Sequence, residues 1–167
     1  MRALQNNQQN IIINNETLKQ VQHFQYLSSY ISIDGTNDGD IKNRSGKASS
    51  TFQQTQKIWN SESINLNIKL KLYSTTVLPI ALHASETWKT NKKVFKKLSS
   101  FHLRCIRNIL GITYKDRVTN EKVLELSGQP KMQNIIDKRR LRYAEHVLRY
   151  PDTRHPKTAL EWIHLTR

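Results

Sequence analysis

The first 35 residues carry short apolar runs with the two-residue period of β-strands. Ile11–Ile13 form the first run, and Asn14-Asn15 supply a turn of the kind that tolerates positive φ. A second run covers 16–21, and a third, 24–33, is rich in β-branched and aromatic residues. Asp34-Gly35 then provide a turn signal. The pattern predicts a small antiparallel sheet with too few strands to be stable alone.

From residue 38 onward the apolar period changes from about 2 to about 3.6, which predicts helices. The segment 64–82 is strongly apolar and is interpreted as the buried central helix, which Pro79 kinks or ends. An earlier helix begins after Asp38. Its apolar face is predicted to hold Ile41, Ala48, Phe52 and Trp59, with Lys42, Arg44, Lys47 and Lys57 off that face.

The clearest helical pattern follows Thr90, a residue suited to cap the helix start. Apolar positions recur from Val94 to Leu110, and Gly111 sits where a helix end favours positive φ. The predicted fold class is therefore mainly α with a small N-terminal antiparallel β sheet, an α+β arrangement. Three further helices are predicted from Thr119 to Gly128, from Met132 to Tyr150 and from Pro156 to Trp162.

Charge adds the strongest functional signal. The 167 residues include 27 Lys and Arg against 13 Asp and Glu, a net charge of +14. Residues 1–40 hold two basic and four acidic residues, 41–120 hold 15 and three, and 121–167 hold ten and six. A localised positive field of this kind favours a polyanion, because neutralised phosphates release counterions. RNA or DNA is the expected partner, and an anionic membrane, an acidic protein and a merely solvated basic surface are the alternatives.

Several other classes of protein are disfavoured. No run approaches the roughly 20 apolar residues that span a bilayer, and the N-terminus lacks an export signal, so we expect a soluble nuclear or cytoplasmic protein without a membrane partner. The single cysteine, Cys105, excludes an internal disulfide and a multi-cysteine zinc site. Gly-rich phosphate loops, nucleophile elbows and His/Cys/Asp clusters at ligand spacing are missing from the sequence. We expect no catalytic residue, cofactor or metal in this chain.

Two constellations look superficially like metal sites. His102 and Cys105 can share a helix face, but two ligands do not make a zinc site, and Cys105 is better interpreted as a small core residue. Asp38 and Asp40 lie where a helix start favours acids near its positive end. A capping role is therefore favoured for the two carboxylates.

Basic residues form a cluster on one predicted helix and a stripe on another. In the stripe the intervals are three, four and three residues, which aligns the side chains on one face. A row of guanidiniums matches the spaced phosphates of a duplex, whereas a solvated face is the alternative. The cluster is Lys92, Lys93, Lys96 and Lys97, extended by Arg104 and Arg107, and the stripe is Arg139, Arg142, His146 and Arg149.

Several sequence strings occur together in one order. They are FQYLSSYISI at 24–33, KNRSGKASSTFQQTQKIW at 42–59, KLKLYSTTVLPIALHASETW at 69–88, FHLRCIRNILGI at 101–112, RVTNEKVLELSGQP at 117–130 and RRLRYAEHVLRYPDTRHPKTALEW at 139–162. Over about residues 11–162, the chain resembles the primer grip, thumb and C-terminal extension of LINE-type non-LTR retrotransposon endonuclease/reverse transcriptases.

The resemblance implies a division into three parts. Residues 1–37 correspond to a remnant palm edge with the primer-grip β hairpin, 38–112 to a helical thumb, and 113–167 to a basic helical C-terminal extension. In the family, the primer grip positions the primer terminus and the thumb faces the template-primer duplex. The matching positions here are Tyr26, Leu27 and Ser28 for the primer grip and Lys42, Arg44 and Lys47 for the thumb.

The family's polymerase chemistry depends on a Tyr-x-Asp-Asp motif and a further aspartate that together hold two metal ions. Neither lies in this sequence. The resemblance therefore implies that Mg²⁺ belongs to a missing catalytic palm, that an upstream polymerase domain is a partner, and that this chain alone is inactive in primer extension.

The chain departs from the family at positions where glycine or tyrosine is usual. Ser28, Ala84 and Glu145 replace glycine, which often serves conformations that a Cβ obstructs, and His83 replaces tyrosine. A decayed element copy and a free-standing helical nucleic-acid-binding module therefore stand as alternatives to a polymerase fragment. A helix-turn-helix reader fits poorly, because Arg139 lies well inside its helix.

Overall fold

The computed structural model describes residues 11–13, 16–19, 21–26, 29–33, 35–89 and 91–162. Within them the chain is mainly helical with antiparallel β structure at its N-terminal end, as predicted. The strands are β1 (Ile12–Ile13), β2 (Glu16–Thr17), β3 (His23–Tyr26) and β4 (Ser29–Ser32), and the helices are α1 (Asp38–Gln54), α2 (Gln56–Trp59), α3 (Leu66–Leu72), α4 (Leu78–Ala81), α5 (Lys92–Leu110), α6 (Asn120–Ser127), α7 (Met132–Leu148) and α8 (His155–Trp162).

The predicted antiparallel β structure takes the form of two separate hairpins. Within the described residues, β1 pairs with β2, with Ile13 opposite Glu16, and β3 pairs with β4, with Phe24 opposite Ile31. The run 24–33 is apolar enough to pass for one strand, but it reverses direction within itself. The predicted turn residues Asn14, Asn15 and Asp34 lie outside the described residues.

The central helix is continuous but contains a π-helical turn at Tyr73–Val77, between α3 and α4. Pro79 follows the π turn by two residues, and the wider turn accommodates its ring and its missing N–H. Tyr73 and Val77 are fully buried. The irregularity in the helix next to Pro79 is therefore this π turn.

Helix α5 is capped at both ends by its own sequence. The Asn91 side chain accepts a hydrogen bond from the backbone N–H of Val94 at 2.9 Å, so Asn91 is the N-cap where Thr90 was predicted. Thr90 lies outside the described residues. At the other end Gly111 adopts a left-handed φ of 69°, as predicted. Because both ends are defined, the register of the α5 side chains is also defined.

The inner face of α5 is the centre of the core. Leu98 and Ile106 are fully buried, and Cys105 is a core residue, as predicted. Burial raises the pKa of the Cys105 thiol to about 12, which keeps it protonated. Val123 from α6 and Ile136 from α7 join the same core. One apolar cluster therefore connects α1 to α7.

A buried histidine links three parts of this core. His102 Nε2 lies 3.1 Å from the carbonyl oxygen of Pro130, which only accepts, so Nε2 carries the proton. Its Nδ1 then accepts a hydrogen bond from the Tyr73 hydroxyl at 2.8 Å. Burial lowers the pKa of His102 and raises that of Tyr73. Both side chains are neutral, and each polar atom of the imidazole has a partner.

The turn after α4 contains a strained residue. Ala84 has a φ of 61°, in the left-handed region that costs a residue with a Cβ about 1–2 kcal/mol. This is one of the positions where the resemblance implies glycine. The turn leads to Trp88, whose indole is buried against α1.

We expect the fold to lose stability as the pH falls below about 6.5, the usual pKa of an unfolded histidine. The folded pKa of His102 is lowered, so the unfolded state binds more protons in that window and stability declines until the folded pKa is passed. Thermal unfolding between about pH 7.5 and 5 measures the effect. In the variant His102→Gln this part of the pH slope should disappear, and an unchanged slope would contradict the assignment.

We expect Ala84→Gly to stabilise the protein by about 1 kcal/mol, because glycine adopts positive φ without a Cβ clash. The matched control is Ala81→Gly, which makes the same chemical change within α4 and should destabilise by about 1 kcal/mol. Denaturant unfolding of both variants provides the comparison. Destabilisation by both changes would show that Ala84 is not strained.

Candidate nucleic-acid interface

The cationic cluster at the start of α5 is fully displayed to solvent. Lys92, Lys93, Lys96 and Lys97 are all exposed, and the sequence of α5 contains six basic and no acidic residues. The cluster occupies the first turns of the helix, next to the unsatisfied backbone N–H groups of its positive end. This end of α5 is therefore a surface of concentrated positive charge.

Two of the predicted thumb residues, Lys42 and Lys47, lie together at an open groove beside β4. Both side chains are exposed, and the groove has a volume of about 530 Å³. Its lining is uncharged apart from the two lysines, and comprises Ser32, Thr36, Gly39, Lys42, Asn43, Gly46 and Lys47. An anion in this groove would meet two ammonium groups and small polar side chains.

The third predicted thumb residue, Arg44, does not belong to this surface. Its side chain is buried, with Nε 3.6 Å from Oδ1 of Asp40, and the other oxygen of Asp40 accepts a hydrogen bond from Trp88 Nε1 at 3.1 Å. The prediction that Arg44 lies off the apolar face is wrong. Asp38 and Asp40 do lie in the first turn of α1, as predicted, and Asp40 makes these further contacts. The spacing contained the signal, because Arg44 falls three residues after Ile41 and four before Ala48.

The stripe on α7 lines one shallow groove, as its spacing implies. Glu86, Tyr143 and Glu145 share this groove with Arg139, Arg142, His146 and Arg149. The Arg149 guanidinium pairs with Glu145 one turn earlier, and His146 Nε2 lies 2.8 Å from the Tyr150 hydroxyl. Glu145 therefore offsets part of the stripe's charge.

Arg139 is occupied by the fold itself. Its Nη1 donates to the carbonyl oxygen of Leu82 at 2.6 Å and lies 3.3 Å from Oε1 of Glu86. Its neighbour Arg140 donates to the carbonyl oxygen of Trp88, a contact that the sequence did not reveal. The two arginines attach α7 to the turn after α4. The exposed guanidinium of Arg142 makes no hydrogen bond or ion pair with the residues that the structure describes.

The structure describes only part of the predicted primer grip. Tyr26 is the last residue of β3, whereas Leu27 and Ser28 lie outside the described residues. No group of three His, Cys, Asp or Glu side chains positioned to hold a metal ion occurs in the described ranges. None of the helices in that part of the chain is long and apolar enough to cross a membrane.

Fold and surface together define a mainly helical protein with several basic patches around one core. The chain is 26% identical over 149 residues to an uncharacterized transposon-derived protein of Caenorhabditis elegans. The aligned region covers 87% of this chain and 53% of that relative. The chain thus spans about half the length of that protein. No family model matches the chain. No solved structure matches it either.

We expect Arg139→Gln and Arg142→Gln to separate stability from binding. Loss of Arg139 leaves the Leu82 carbonyl and Glu86 without their donor and should cost about 1–3 kcal/mol of stability. Loss of Arg142 should change stability by less than about 0.5 kcal/mol. It should weaken duplex binding and reduce the salt slope by about one unit if it contacts a phosphate. The reverse pattern in unfolding and binding assays would overturn this division.

Proposed function

We propose that this chain binds the phosphate backbone of nucleic acid, as the thumb and C-terminal extension of a LINE-type reverse transcriptase. The observation that carries the proposal is the exposed lysine cluster at the N-terminal end of α5. Lys42 and Lys47 at the α1 groove and Arg142 on α7 supply further exposed cations. On this proposal the chain holds the nucleic acid through its phosphates, and the metal-dependent nucleotidyl transfer resides in a catalytic palm outside this sequence.

The position of the α5 cluster is unfavourable for the isolated fold. A helix N-terminus favours negative charge, and each lysine placed there costs about 0.3–1 kcal/mol at low ionic strength. Lys92 and Lys93 in the first turn, without an acidic residue in α5, therefore oppose helix stability. A bound polyanion makes the electrostatic free energy of this helix end favourable, because it is attracted by both the ammonium groups and the helix end. A solvated face alone offers no such compensation.

The comparison with known proteins supports the origin that we propose. The relative in Caenorhabditis elegans is described as transposon-derived, and the similarity extends over most of this chain. It supports a transposon-related protein, while the finer assignment to a LINE-type reverse transcriptase rests on the ordered sequence strings. The exposed apolar hairpins favour a fragment that packs on a larger body, since Ile12, Phe24 and Ile33 are each more than half exposed.

A free-standing helical nucleic-acid-binding module is the second candidate. It is favoured by the single core that joins α1, α5, α6 and α7, because such a body needs no further domain to bury its apolar face. Both candidates predict the same phosphate contacts. An in-frame Tyr-x-Asp-Asp coding string upstream of Met1 in the genomic DNA would favour the polymerase fragment.

We expect the double change Lys92→Gln and Lys93→Gln to move stability and binding in opposite directions. Removing two cations from the positive helix end should raise the free energy of unfolding by about 0.3–1 kcal/mol per lysine at low salt. Removing two phosphate contacts should weaken binding to unrelated duplex sequences alike and reduce the log-log salt slope by about two units.

The matched control is Lys122→Gln, on α6, where the lysine is exposed and paired with Glu125. It should leave the salt slope unchanged. If the α5 double variant binds a duplex with the affinity and salt slope of the unaltered chain, the cluster is only a solvated face and the proposed function fails.

A further inference from the structure

Tyr114 is the most exposed large hydrophobic side chain in the described part of the chain, at 98%. It opens a short 3-10 turn, Tyr114–Asp116, that directly follows the C-terminal end of α5. Lys115 within the turn and Arg117 directly after it are also exposed. The ring is therefore presented to solvent near two cations that follow it in the chain, with neither face covered by the fold.

The turn that carries Tyr114 is well organised. Asp116 Oδ2 accepts hydrogen bonds from the Thr113 backbone N–H at 2.6 Å and from the Thr113 hydroxyl at 2.8 Å. The backbone hydrogen bond from Thr113 holds the pKa of the Asp116 carboxyl below its usual range. Arg117 closes the turn with a left-handed φ of 49°. Little backbone freedom remains to be lost when a ligand covers the ring.

Two grooves flank the exposed side of α5 next to this turn. One groove has a volume of about 490 Å³ and is lined in part by Ile112, two residues before the turn. The other has a volume of about 470 Å³ and lies between α1 and α5. Arg104 and Asn108 line both grooves. The uncharged polar side chains around them are Ser49, Gln53, Gln56, Ser100 and Asn120.

The two grooves combine a cation with amide groups and contain no acidic lining residue. Arg107 is held internally, donating to the Val118 carbonyl at 2.8 Å and to Asn120 at 3.0 Å. Arg104 is exposed, with its guanidinium 5.9 Å from the centre of the Phe101 ring. Gln56 donates to the Asn108 side-chain oxygen at 3.3 Å, which fixes the two amides relative to each other.

We propose that these grooves and Tyr114 bind an unpaired stretch of nucleic acid, with one base stacked on Tyr114 and a phosphate on Arg104. This inference rests on the proposed function and adds a second kind of substrate to it. A bare aromatic face selects unpaired bases, because bases in a duplex already stack on each other. Amide side chains offer a donor and an acceptor to base edges that pairing would otherwise occupy.

The dimensions suit a short segment. The seven steps from Arg104 to Gly111 extend over roughly 10 Å along the helix axis. This length matches about three nucleotides at roughly 3.4 Å per stacked base. Phosphates to either side of the stacked base would then lie within reach of exposed cations, which include Lys115 and Arg117 beyond the ring.

The test measures binding of the full chain to a labelled single strand and to a blunt duplex of equal length. Tyr114→Ala should weaken single-strand binding roughly 5- to 100-fold, the range of one lost stacking contact, and change duplex binding less than about twofold. Tyr114→Phe should retain single-strand binding. Because Tyr114 is exposed, both variants should unfold at the same temperature as the unaltered chain. Leu126→Ala, at an apolar residue 51% exposed on α6, should leave single-strand binding unchanged.

Other outcomes overturn the inference in identifiable ways. Equal loss of single-strand and duplex binding in Tyr114→Ala would make the ring a general contact, and equal loss in Tyr114→Phe would implicate the hydroxyl. Failure of the unaltered chain to bind the single strand would remove the site, and full binding by Tyr114→Ala would return Tyr114 to an ordinary surface residue or a protein contact. Failure of the unaltered chain to bind the duplex concerns the proposed function instead.

Discussion

The neutral imidazole of His102 has one hydrogen-bond donor and one acceptor, and the fold provides one partner for each of them. The donor goes to the carbonyl of Pro130 and the acceptor receives the hydroxyl of Tyr73, so one ring orients the α6–α7 connection and the π-helical turn against α5. An unpaired polar atom at this depth would cost about 1–3 kcal/mol. The arrangement defines which face of α5 is internal and so which residues stand outside.

The basic residues divide according to the geometry of their head groups. Arginine is planar and donates in several directions, which suits it to bridge backbone carbonyls at element ends. Arg107, Arg139 and Arg140 all do so, reaching carbonyls in two connecting segments, the one between α5 and α6 and the one between α4 and α5. The lysines of the α5 cluster remain in solvent, where a compact ammonium keeps its hydration. A high net charge therefore overstates the charge that a partner can meet.

The helices follow from local signals, since the 3.6-residue apolar period and residues such as Gly111 and Thr119 act within one or two turns. The sequence also indicated correctly that the residues of the α7 stripe line one groove, because side chains at intervals of three and four share a helix face. Burial of charge was less predictable. The spacing places Arg44 on the apolar face of α1, but the contact of its partner Asp40 with Trp88, 48 residues further along the chain, is revealed by no local pattern. The hydrogen bond that Arg139 donates to the turn after α4 is a similarly distant contact.

The N-terminal hairpins carry a consequence for how the protein behaves at high concentration. Within the described residues each is a two-stranded ribbon, whose edge on either side pairs with no other described strand. Ile11, Ile12 and Ile13 are exposed along one of them, and Phe24 and Ile33 are exposed in or beside the other. An exposed edge is a template for pairing with another chain, and the two- to four-residue length of these strands limits that pairing. Any self-association by β-strand addition at these ribbons would also have to overcome the mutual repulsion of chains that each carry a net charge of +14.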